Sequence, residues 1–308
     1  METVLVTGGT GLIGRALSRA LVKSGYKVII LTRNAKKSEH PLLEYAQWNI
    51  EQQQVDEDAI KAADYIVHLA GASVAEGRWT EKRKQEIVNS RVQTGALLVR
   101  ALHKIPNKVK AVVSASAIGW YGPDPVMPNS KPFVETDPAD HTFLGATCQK
   151  WEAAITPVTE LGKRLVTIRI GIVLSNEGGA YTEFRKPLQF GVASVLGSGK
   201  QIISWIHIDD LVRLFLFAIE KDEVKGIYNA VAPHPVTNAQ LIKQMAKIKG
   251  GFSITAPVPA FVLKAMLGEM SIEVLKSATV SSAKIQQTGF QFNYPDIESA
   301  LKALNSKA

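Results

Sequence analysis

The stretch TGGTGLIG, from Thr7 to Gly14, limits the fold of this chain more than any other. It follows a short apolar run, Val4 to Val6, and precedes apolar residues that recur at helical spacing from Leu12 to Leu21. Its three glycines permit a tight turn, allow a pyrophosphate to approach the backbone, and allow the helix to pack on the strand. The stretch therefore predicts a strand, a turn and a helix that open a dinucleotide-binding βαβ unit.

The alternation of strands and helices continues along the chain. Strands are predicted at 27–32, 65–70, 111–116 and 166–170, and helices at 86–103 and 144–162. Apolar strands separated by amphipathic helices indicate a parallel sheet covered on both faces. The predicted fold class is therefore α/β, a doubly wound parallel-sheet Rossmann domain with a smaller α/β C-terminal substrate domain.

The domain boundaries follow from where this pattern stops and resumes. The Rossmann domain is expected to span residues 1–170, and residues 204–230 return to it because they again predict strand, helix and strand. The smaller domain takes residues 171–203, where glycine-rich connections are expected, and residues 231–308.

Five prolines lie between Tyr121 and Asp140, which excludes a regular helix and most strand pairing there. A loop of this length inside a compact domain is commonly a lid or a binding element, and a surface excursion without function is the alternative. A further proline, Pro157, is expected to kink or end the helix predicted at 144–162.

Composition excludes several classes of protein. Hydrophobic residues make up 46% of the chain and charged residues 21%, and no segment approaches the roughly 18 apolar residues of a membrane helix. The first residues do not resemble a secretory signal, and the one cysteine, Cys148, excludes an internal disulfide framework or a multi-cysteine metal site. We therefore expect a cytoplasmic protein with no metal and no membrane partner.

The net charge of +8 comes from basic residues that are scattered along the chain. No basic face with interleaved aromatic residues is visible, so we do not expect a nucleic-acid partner. A mild positive field suits anionic small molecules better.

The residues that follow the second predicted strand bear on the choice of cofactor. An NAD site generally has an acidic residue there, whereas this chain has Thr32, Arg33 and Asn34. A guanidinium can form two hydrogen bonds with a 2′-phosphate, so Arg33 predicts NADP, with NAD the less favoured cofactor. Arg15 could add a second cation. The alternative is that Arg33 is only an exposed residue at the end of a strand.

Several further motifs, taken with the glycine turn, resemble the extended short-chain dehydrogenase/reductases. They are HLAG at His68 to Gly71, Asn89 in IVNSRVQTGALLV, SASAIGWYG after the predicted strand at 111–116, and SWIHIDDL at Ser204 to Leu211. The family includes nucleotide-sugar epimerases and dehydratases. The longer string LGSGKQIISWIHIDDL resembles an atypical, epimerase-like subgroup.

The resemblance implies a cofactor site. The glycine turn would hold the pyrophosphate, Arg33 would meet the adenosine end, and the backbone of HLAG would line the cofactor. Asn89 would stabilise the sheet or the cofactor-facing helix, and His207 and Asp210 fall in a motif that joins the two domains. The residues predicted to bind the cofactor are Gly8, Thr10, Gly11, Leu12, Ile13, Gly14, Arg33, Leu69, Ala70, Gly71 and Asn89.

The resemblance also reveals a departure in the predicted helix at 144–162. Family members have a Tyr that exchanges a proton with the substrate and, four residues on, a Lys that lowers the pKa of the Tyr and grips the ribose. Aligned on Glu152, these two positions hold Leu144 and Cys148. The chain therefore resembles a subgroup that lacks the Tyr/Lys catalytic pair.

Other side chains could replace the missing acid. We predict catalytic roles for Tyr121 and Ser116, although the spacing from serine to Tyr-Gly is one residue longer than in the family, so Ala117 competes with Ser116 for the serine position. Asp140, His141 and Cys148 are further candidates, for which a structural role is the simpler interpretation.

Two functions are compatible with these features. The first is an NADP-binding epimerase/dehydratase-like or reductase-like protein, an isomerase or oxidoreductase with a non-standard proton donor, acting on a nucleotide sugar or a similar anionic small molecule. The alternative is an NADP(H)-sensing protein without turnover. Helices 86–103 and 144–162 match those that pair in family dimers, so a homodimer is also compatible with the sequence.

Overall fold

An eight-stranded sheet forms the centre of the protein, whose computed structural model describes residues 1–35 and 37–306. In chain order the strands are β1 (Thr3–Thr7), β2 (Lys27–Thr32), β3 (Leu43–Asn49), β4 (Gln54–Val55), β5 (Tyr65–His68), β6 (Ala111–Ala117), β7 (Arg164–Ile170), β8 (Ile172–Leu174), β9 (Val192–Leu196), β10 (Ile202–Ile203), β11 (Trp205–His207), β12 (Gly226–Ala230), β13 (Val236–Thr237) and β14 (Ile254–Val258). The α-helices are α1 (Leu12–Lys23), α2 (Glu57–Ala62), α3 (Glu81–Lys104), α4 (Phe143–Ile155), α5 (Ala180–Gln189), α6 (Ile208–Glu220), α7 (Asn238–Lys249), α8 (Ala260–Leu267), α9 (Ser271–Leu275), α10 (Ala283–Gln287) and α11 (Ile297–Ser306).

The strand order of the sheet is β12-β7-β6-β5-β1-β2-β3-β4, and every pair except β3 with β4 is parallel. The α/β fold class with a large parallel sheet is therefore confirmed. From β1 the strands β2, β3 and β4 are added on one side of the sheet, whereas β5, β6, β7 and β12 are added on the other side. Ligands of such sheets bind beyond the carboxyl ends of the strands at this reversal, which here lies between β1 and β5.

The two faces of the sheet are covered by different helices. Leu17 of α1 and Phe215 of α6 pack with Val4 and Val6 on one face. Leu98 of α3 packs with Leu5 on the other face, where α2 and the end of α4 also lie. Burial of each such side chain stabilises the fold by about 1.5–3 kcal/mol, so both faces of β1, which are apolar, favour a cover of helices.

Two helices differ from their predicted bounds for visible reasons. α3 begins at Glu81, five residues before the predicted start, because the Thr80 hydroxyl caps it by accepting the Arg83 N–H at 3.2 Å. α4 ends at Ile155 and a 3-10 turn follows, which confirms that Pro157 ends the helix early.

Some elements were missed in the sequence. β3 lies near the edge of the sheet, and polar residues interrupt its apolar ones, so it lacks the apolar run of a central strand. The sequence predicted glycine-rich connections for residues 171–203. This prediction is corrected, because helix α5 lies in that segment. Its sequence contains Pro187, which removes a helical N–H but lies in the last turn.

Residues outside the large sheet form three two-stranded sheets, β10 with β13, β11 with β8, and β14 with β9. Their core includes Tyr181, Trp205, Leu241 and Leu301. β12 pairs with β7, so residues 226–230 lie in the large sheet. The division into two domains stays a prediction. The last two residues of the predicted smaller domain, 307 and 308, lie outside the described residues. No helix in the described ranges is both long and apolar enough to cross a membrane.

A buried polar pair joins β1 to β5 at the carboxyl end of the sheet. The Thr7 Oγ1 atom accepts the N–H groups of Leu69 and Ala70 at 3.1 and 3.2 Å, which explains why β5 ends at His68 and not at Ala70. With both lone pairs used, the Thr7 hydroxyl donates to His68 Nδ1, 2.8 Å away. His68 is 0% exposed, as expected of a packed strand residue, and its Nε2 has no partner among the described residues.

Burial, aided by the positive charge of Arg91, lowers the pKa of His68 to about 4. The ordinary pKa near 6.5 applies to the unfolded chain, so between these values the unfolded state binds more protons. This share of the free energy of unfolding, roughly 3 kcal/mol, is present above about pH 6.5 and is lost as the pH falls toward 4.

We expect His68→Gln to show a shallower loss of stability than the wild type between pH 7 and pH 4, measured by urea unfolding at several pH values. His103→Gln changes an exposed histidine on α3 and should keep the wild-type pH dependence. Identical pH dependence in the wild type and His68→Gln would contradict this account of His68.

Candidate functional site

The glycine turn between β1 and α1 is packed too closely for any other residue at two positions. Gly8 has a φ of +69°, and a Cβ placed on it would lie 2.8 Å from the carbonyl carbon of Leu69. A Cβ on Gly14 would lie 2.3 Å from the Gly8 carbonyl oxygen. These contacts are to backbone atoms, which cannot move aside as a flexible side chain can. The turn therefore brings β1, α1 and the end of β5 into direct backbone contact.

The first amides of α1 are free to bind an anion. Gly11 is the N-cap and has no side chain to satisfy them. The first hydrogen bond from the helix back to its N-cap runs from the Arg15 N–H to the Gly11 carbonyl, at 2.9 Å. The N–H groups from Leu12 to Gly14 precede that bond and point out of the helix end. A helix terminus of this kind suits phosphate.

The structure brings the predicted HLAG residues to this turn. The N–H groups of Leu69 and Ala70 are held by Thr7, and Gly8 lies against both residues. Gly71 follows at the same edge, where it lies against the side chain of Arg91. The segment from Leu69 to Gly71 thus continues the surface of the glycine turn beyond β5.

Arg33 lies beyond the end of β2, on the opposite side of the turn from Gly71. Its side chain is exposed and makes no hydrogen bond or ion pair within residues 1–35 and 37–306, so its guanidinium is available to an anion. Only its carbonyl is engaged, by Gln47 Nε2 at 3.4 Å.

The second predicted cation, Arg15, is already occupied. Its Nη1 donates to the carbonyl of Thr10 at 2.8 Å, and its Nε lies 3.9 Å from Glu177. Glu177 also binds Arg19 at 2.5 Å. The loop that carries Glu177 contains Gly179, which packs on Leu12. This loop lies against the first half of α1, and its one signal in the sequence is the Glu-Gly-Gly string.

Asn89 makes different contacts from Ser90 and Arg91, the two residues that follow it on α3. Its amide oxygen accepts Gln85 Nε2 at 2.6 Å, one turn back along the same helix. Ser90 Oγ instead accepts the Ala72 N–H at 2.9 Å, and Arg91 Nη1 donates to the Ala72 carbonyl at 3.0 Å. A cofactor contact by Asn89 stays a prediction, whereas Ser90 and Arg91 are the residues of α3 that hold the backbone after β5. Sequence reasoning missed both.

A buried ion pair fixes α4 to the sheet. Arg169 of β7 is 1% exposed and binds both carboxylate oxygens of Glu152, at 2.8 and 3.0 Å. Ser116 Oγ donates to Glu152 Oε1 at 2.7 Å. Arg169 Nη1 also donates to the Tyr121 hydroxyl and to the Glu135 carbonyl, each at 3.1 Å. Because bidentate geometry and extra hydrogen bonds offset desolvation, losing one partner would leave a buried charge unpaired.

Both residues predicted to be catalytic belong to this network. Tyr121 is 0% exposed, and its hydroxyl donates to Asn229 Oδ1 at 2.8 Å. Burial raises the pKa of Tyr121 to about 12, although the Arg169 charge acts in the opposite direction. The hydroxyl of Ser116 is held by Glu152. Their catalytic roles stay a prediction, but the hydrogen bonds favour a structural role for both hydroxyls in this conformation.

Leu144 and Cys148 lie on the face of α4 that packs against the turn after β6. A Cβ on Gly119 would lie 3.2 Å from Leu144 Cβ and 3.7 Å from Cys148 Sγ. The thiol donates to the Ala117 carbonyl at 3.6 Å. Burial and the charge of Glu152 raise the pKa of Cys148 to about 11, so it is a neutral thiol at pH 7. Neither side chain supplies a group that titrates near neutrality.

The two acid candidates before α4 differ from each other. Asp140 is buried enough to raise its pKa, but hydrogen bonds from Thr142 outweigh this and hold its pKa below the ordinary value. It is therefore a carboxylate at neutral pH and can accept but not donate a proton. His141 is exposed.

The proline-rich loop at 121–140 is pinned to a distant segment. The Asp124 carboxylate accepts the hydroxyls of Ser277 and Thr279 at 2.7 and 2.8 Å and the Thr279 N–H at 2.9 Å. Lys276 Nζ donates to the Tyr121 carbonyl at 3.2 Å. We call residues 276–281 the strap. The strap thus holds the loop in place, and a role for the loop as a lid or binding element stays a prediction.

Asp210 joins α6 to the C-terminal part of the chain. Its carboxylate is 0% exposed and accepts the N–H groups of Asn293 and Tyr294, each at 2.9 Å, together with Arg213 Nη1 at 2.9 Å. His207 caps the same helix by accepting the Asp209 N–H at 3.1 Å. These contacts suit a motif that connects two parts of the chain.

The carboxyl end of the sheet is therefore where the polar and backbone features converge. A separate open groove of about 730 Å³ lies at the amino ends of β7 and β12, where Lys163, Arg164 and Lys225 line it. It is remote from the glycine turn. No group of three or more His, Cys, Asp or Glu side chains that could hold a metal is present in the part of the chain that the structure describes.

Curated relatives resemble the chain along nearly its whole length. An epimerase family protein of Staphylococcus saprophyticus is 37% identical over 304 residues and covers 99% of each chain. The epimerase family protein YfhF of Bacillus subtilis is 35% identical and covers 98% of this chain and 97% of its own. A chloroplastic homolog of epimerase family protein SDR39U1 from Arabidopsis thaliana is 33% identical and covers 98% and 86%.

Solved structures resemble the fold. The human epimerase family protein SDR39U1 (isoform 2), crystallised with NADPH, has a TM-score of 0.86 and 30% identity and covers 99% of this chain and 100% of its own. A UDP-glucuronic acid 4-epimerase of Bacillus cereus has a TM-score of 0.79 and covers 99% and 98%, but at 18% identity it shows likeness of fold alone.

Family models match two parts of the chain. A domain of unknown function, DUF1731, matches residues 258–304, which include the strap. The NAD dependent epimerase/dehydratase family matches residues 4–230, from β1 to the last strand of the large sheet. The resemblance to epimerase-like, extended short-chain dehydrogenase/reductases is thereby confirmed, and the chain belongs to the NAD dependent epimerase/dehydratase family.

Proposed function

We propose that this protein binds NADP(H) across the carboxyl ends of β2, β1 and β5 and acts on an anionic small molecule. The single observation that carries the proposal is the glycine turn, where only glycine fits at positions 8 and 14 and the first amides of α1 are uncapped. The human relative, 30% identical to this chain, was crystallised with NADPH, which supports the choice of cofactor.

The residues present fit a phosphorylated dinucleotide. The amides from Leu12 to Gly14 would bind the diphosphate, and the absence of a Cβ on Gly11 leaves room for it. The guanidinium of Arg33, which has no partner among the described residues, would bind the 2′-phosphate. The backbone from Leu69 to Gly71 would line the nicotinamide side. The bound cofactor would supply the means to accept or donate a hydride.

The substrate class follows from charge and family. A net charge of +8 favours an anionic ligand, and a nucleotide sugar is such a ligand for a member of an epimerase/dehydratase family. We propose that residues 171–203 and 231–306, together with the loop at 121–140 that the strap fixes, form the substrate side. A homodimer through α3 and α4 stays a prediction.

A protein that senses NADP(H) without turnover is the second candidate. One observation favours it: Leu144 and Cys148 offer no group that titrates near pH 7, and the hydroxyls of Tyr121 and Ser116 are held in a buried network. An ordinary reductase or epimerase needs a positioned acid, whose removal costs on the order of 10² to 10⁴ in rate.

We expect NADPH to bind roughly tenfold to a hundredfold more tightly than NADH, because Arg33 adds charge-assisted hydrogen bonds to the 2′-phosphate. Fluorescence titration measures both dissociation constants. Arg33→Met should weaken NADPH binding to the level of NADH and leave NADH unchanged, whereas Lys249→Met, a change of an exposed cation on α7, should alter neither. No measurable binding of either nucleotide would refute the proposed function.

Tyr121→Phe separates the two roles of Tyr121. Because Arg169 and Asn229 lose a buried partner, we expect the free energy of unfolding to fall by about 1–3 kcal/mol. If Tyr121 also donates a proton, cofactor oxidation across a panel of nucleotide sugars and carbonyl compounds should fall by on the order of 10² to 10⁴ with NADPH affinity unchanged. Unchanged turnover in the variant would remove the catalytic role. Tyr181→Phe, at another buried tyrosine, is the control.

A further inference from the structure

We infer that Arg91 of α3 supplies the cation that contacts the nicotinamide half of NADP(H), in place of the lysine that the resemblance expects at the position of Cys148. This inference rests on the proposed function, because it assigns a residue to the same cofactor. Arg91 lies in the string IVNSRVQTGALLV, two residues after Asn89, but it is not among the cofactor residues predicted from the sequence. It is identified by its position between the segment after β5 and the helix α4.

Sheet topology puts Arg91 on the nicotinamide side of the site. β1 ends in the glycine turn, with β2 on one side and β5 on the other. Arg33 follows β2, whereas Arg91 lies against Gly71, which follows β5. A Cβ on Gly71 would lie 3.1 Å from Arg91 Cζ. A dinucleotide held by its diphosphate at the turn extends over both neighbouring strands. With its adenosine half at Arg33, its nicotinamide half must pass Gly71.

The guanidinium of Arg91 is held in a fixed position. Nη1 donates to the Ala72 carbonyl at 3.0 Å and to the Ile87 carbonyl at 2.9 Å. Cζ lies 4.8 Å from the centre of the Trp151 ring on α4, which is a cation–π contact. Nε and Nη2 make no hydrogen bond to any residue that the structure describes. These N–H groups remain for a ligand, and a side chain that is already ordered binds one at little entropic cost.

Arg91 is also close to the position of the missing lysine. Its charge acts on the thiol of Cys148, where it partly opposes the effect of burial. Arg91 also lies over the ring of Trp151, which follows Cys148 by three residues on α4. A cation from α3 therefore reaches the region that the resemblance assigns to a lysine of α4.

An arginine can perform only part of the work of that lysine. A guanidinium donates hydrogen bonds to ribose hydroxyls and favours nearby negative charge, but it stays protonated in proteins and does not give up a proton. Arg91 would thus preserve cofactor binding while contributing no proton to a relay. The same protein could then bind NADP(H) firmly with or without turnover.

Calorimetric titration with two probes tests this inference. NADP⁺ carries both halves of the cofactor, whereas adenosine 2′,5′-bisphosphate carries only the half that meets Arg33. We expect Arg91→Met to weaken NADP⁺ binding roughly tenfold to a hundredfold, as for a lost charge-assisted hydrogen bond, and to leave binding of the bisphosphate unchanged. Arg91→Lys should recover part of the loss. Lys82→Met, at an exposed position of the same helix, is the control.

Each outcome has one interpretation. Unchanged NADP⁺ affinity in Arg91→Met would overturn the inference, and an equal loss for both probes would assign Arg91 to holding the backbone of Ala72. Retained binding of the bisphosphate reports that the variant is folded. If the wild type binds neither probe, the proposed function is overturned, and this inference with it. That outcome is seen in the wild type alone, whereas an outcome that overturns only this inference requires the Arg91→Met variant.

Discussion

The close backbone contact among β1, α1 and the end of β5 is the constraint on which the rest of this structure depends. Gly8 touches Leu69, and Gly14 touches Gly8, at distances that leave no space for a Cβ. The contact fixes where α1 begins and therefore where its uncapped amides point. It also fixes the path of the chain from Leu69 to Gly71. The proposed diphosphate site and its nicotinamide side both depend on this backbone contact.

A second constraint explains how α4 keeps its position, with Leu144 and Cys148 where the resemblance expects a Tyr and a Lys. Glu152 is bound to Arg169 and Ser116, so the helix is tied to β6 and β7 by charge and hydrogen bonds. Leu144 and Cys148 fill the face toward Gly119 by packing alone. The contacts of Glu152 that hold α4 in place are thus separate from the packing of Leu144 and Cys148, so Leu144 and Cys148 could be replaced while those contacts remain.

Features written in local patterns could be predicted from the sequence. The glycine spacing, the apolar strands and the effect of Pro157 depend on neighbours in the chain, and the structure bears out the parallel sheet they imply. It is harder to predict which residues of α3 face the site, because each successive residue is rotated by about 100° around the helix. Whether Asn89 or Arg91 faces the site depends on the segment that packs against the helix. The contacts of Ala72 show that Ser90 and Arg91 lie against the segment after β5, and these contacts were not visible in the sequence.

Features that join distant segments could not be predicted in this way. No local pattern shows that Asp124 will meet Thr279, about half the chain away, or that Tyr121 will be enclosed by Arg169 and Asn229. Tyr121 has the chemistry of a proton donor, and only its burial reveals that its hydroxyl is already engaged. Residue type suggests a role, and the surroundings of the side chain determine whether it can be performed.

A crystal structure of the protein grown with saturating NADPH tests the central claim most directly. The account predicts diphosphate oxygens within hydrogen-bonding distance of the Leu12 and Ile13 amides, with the 2′-phosphate against Arg33. A nucleotide bound elsewhere, or a glycine turn without density for one at saturation, would contradict it.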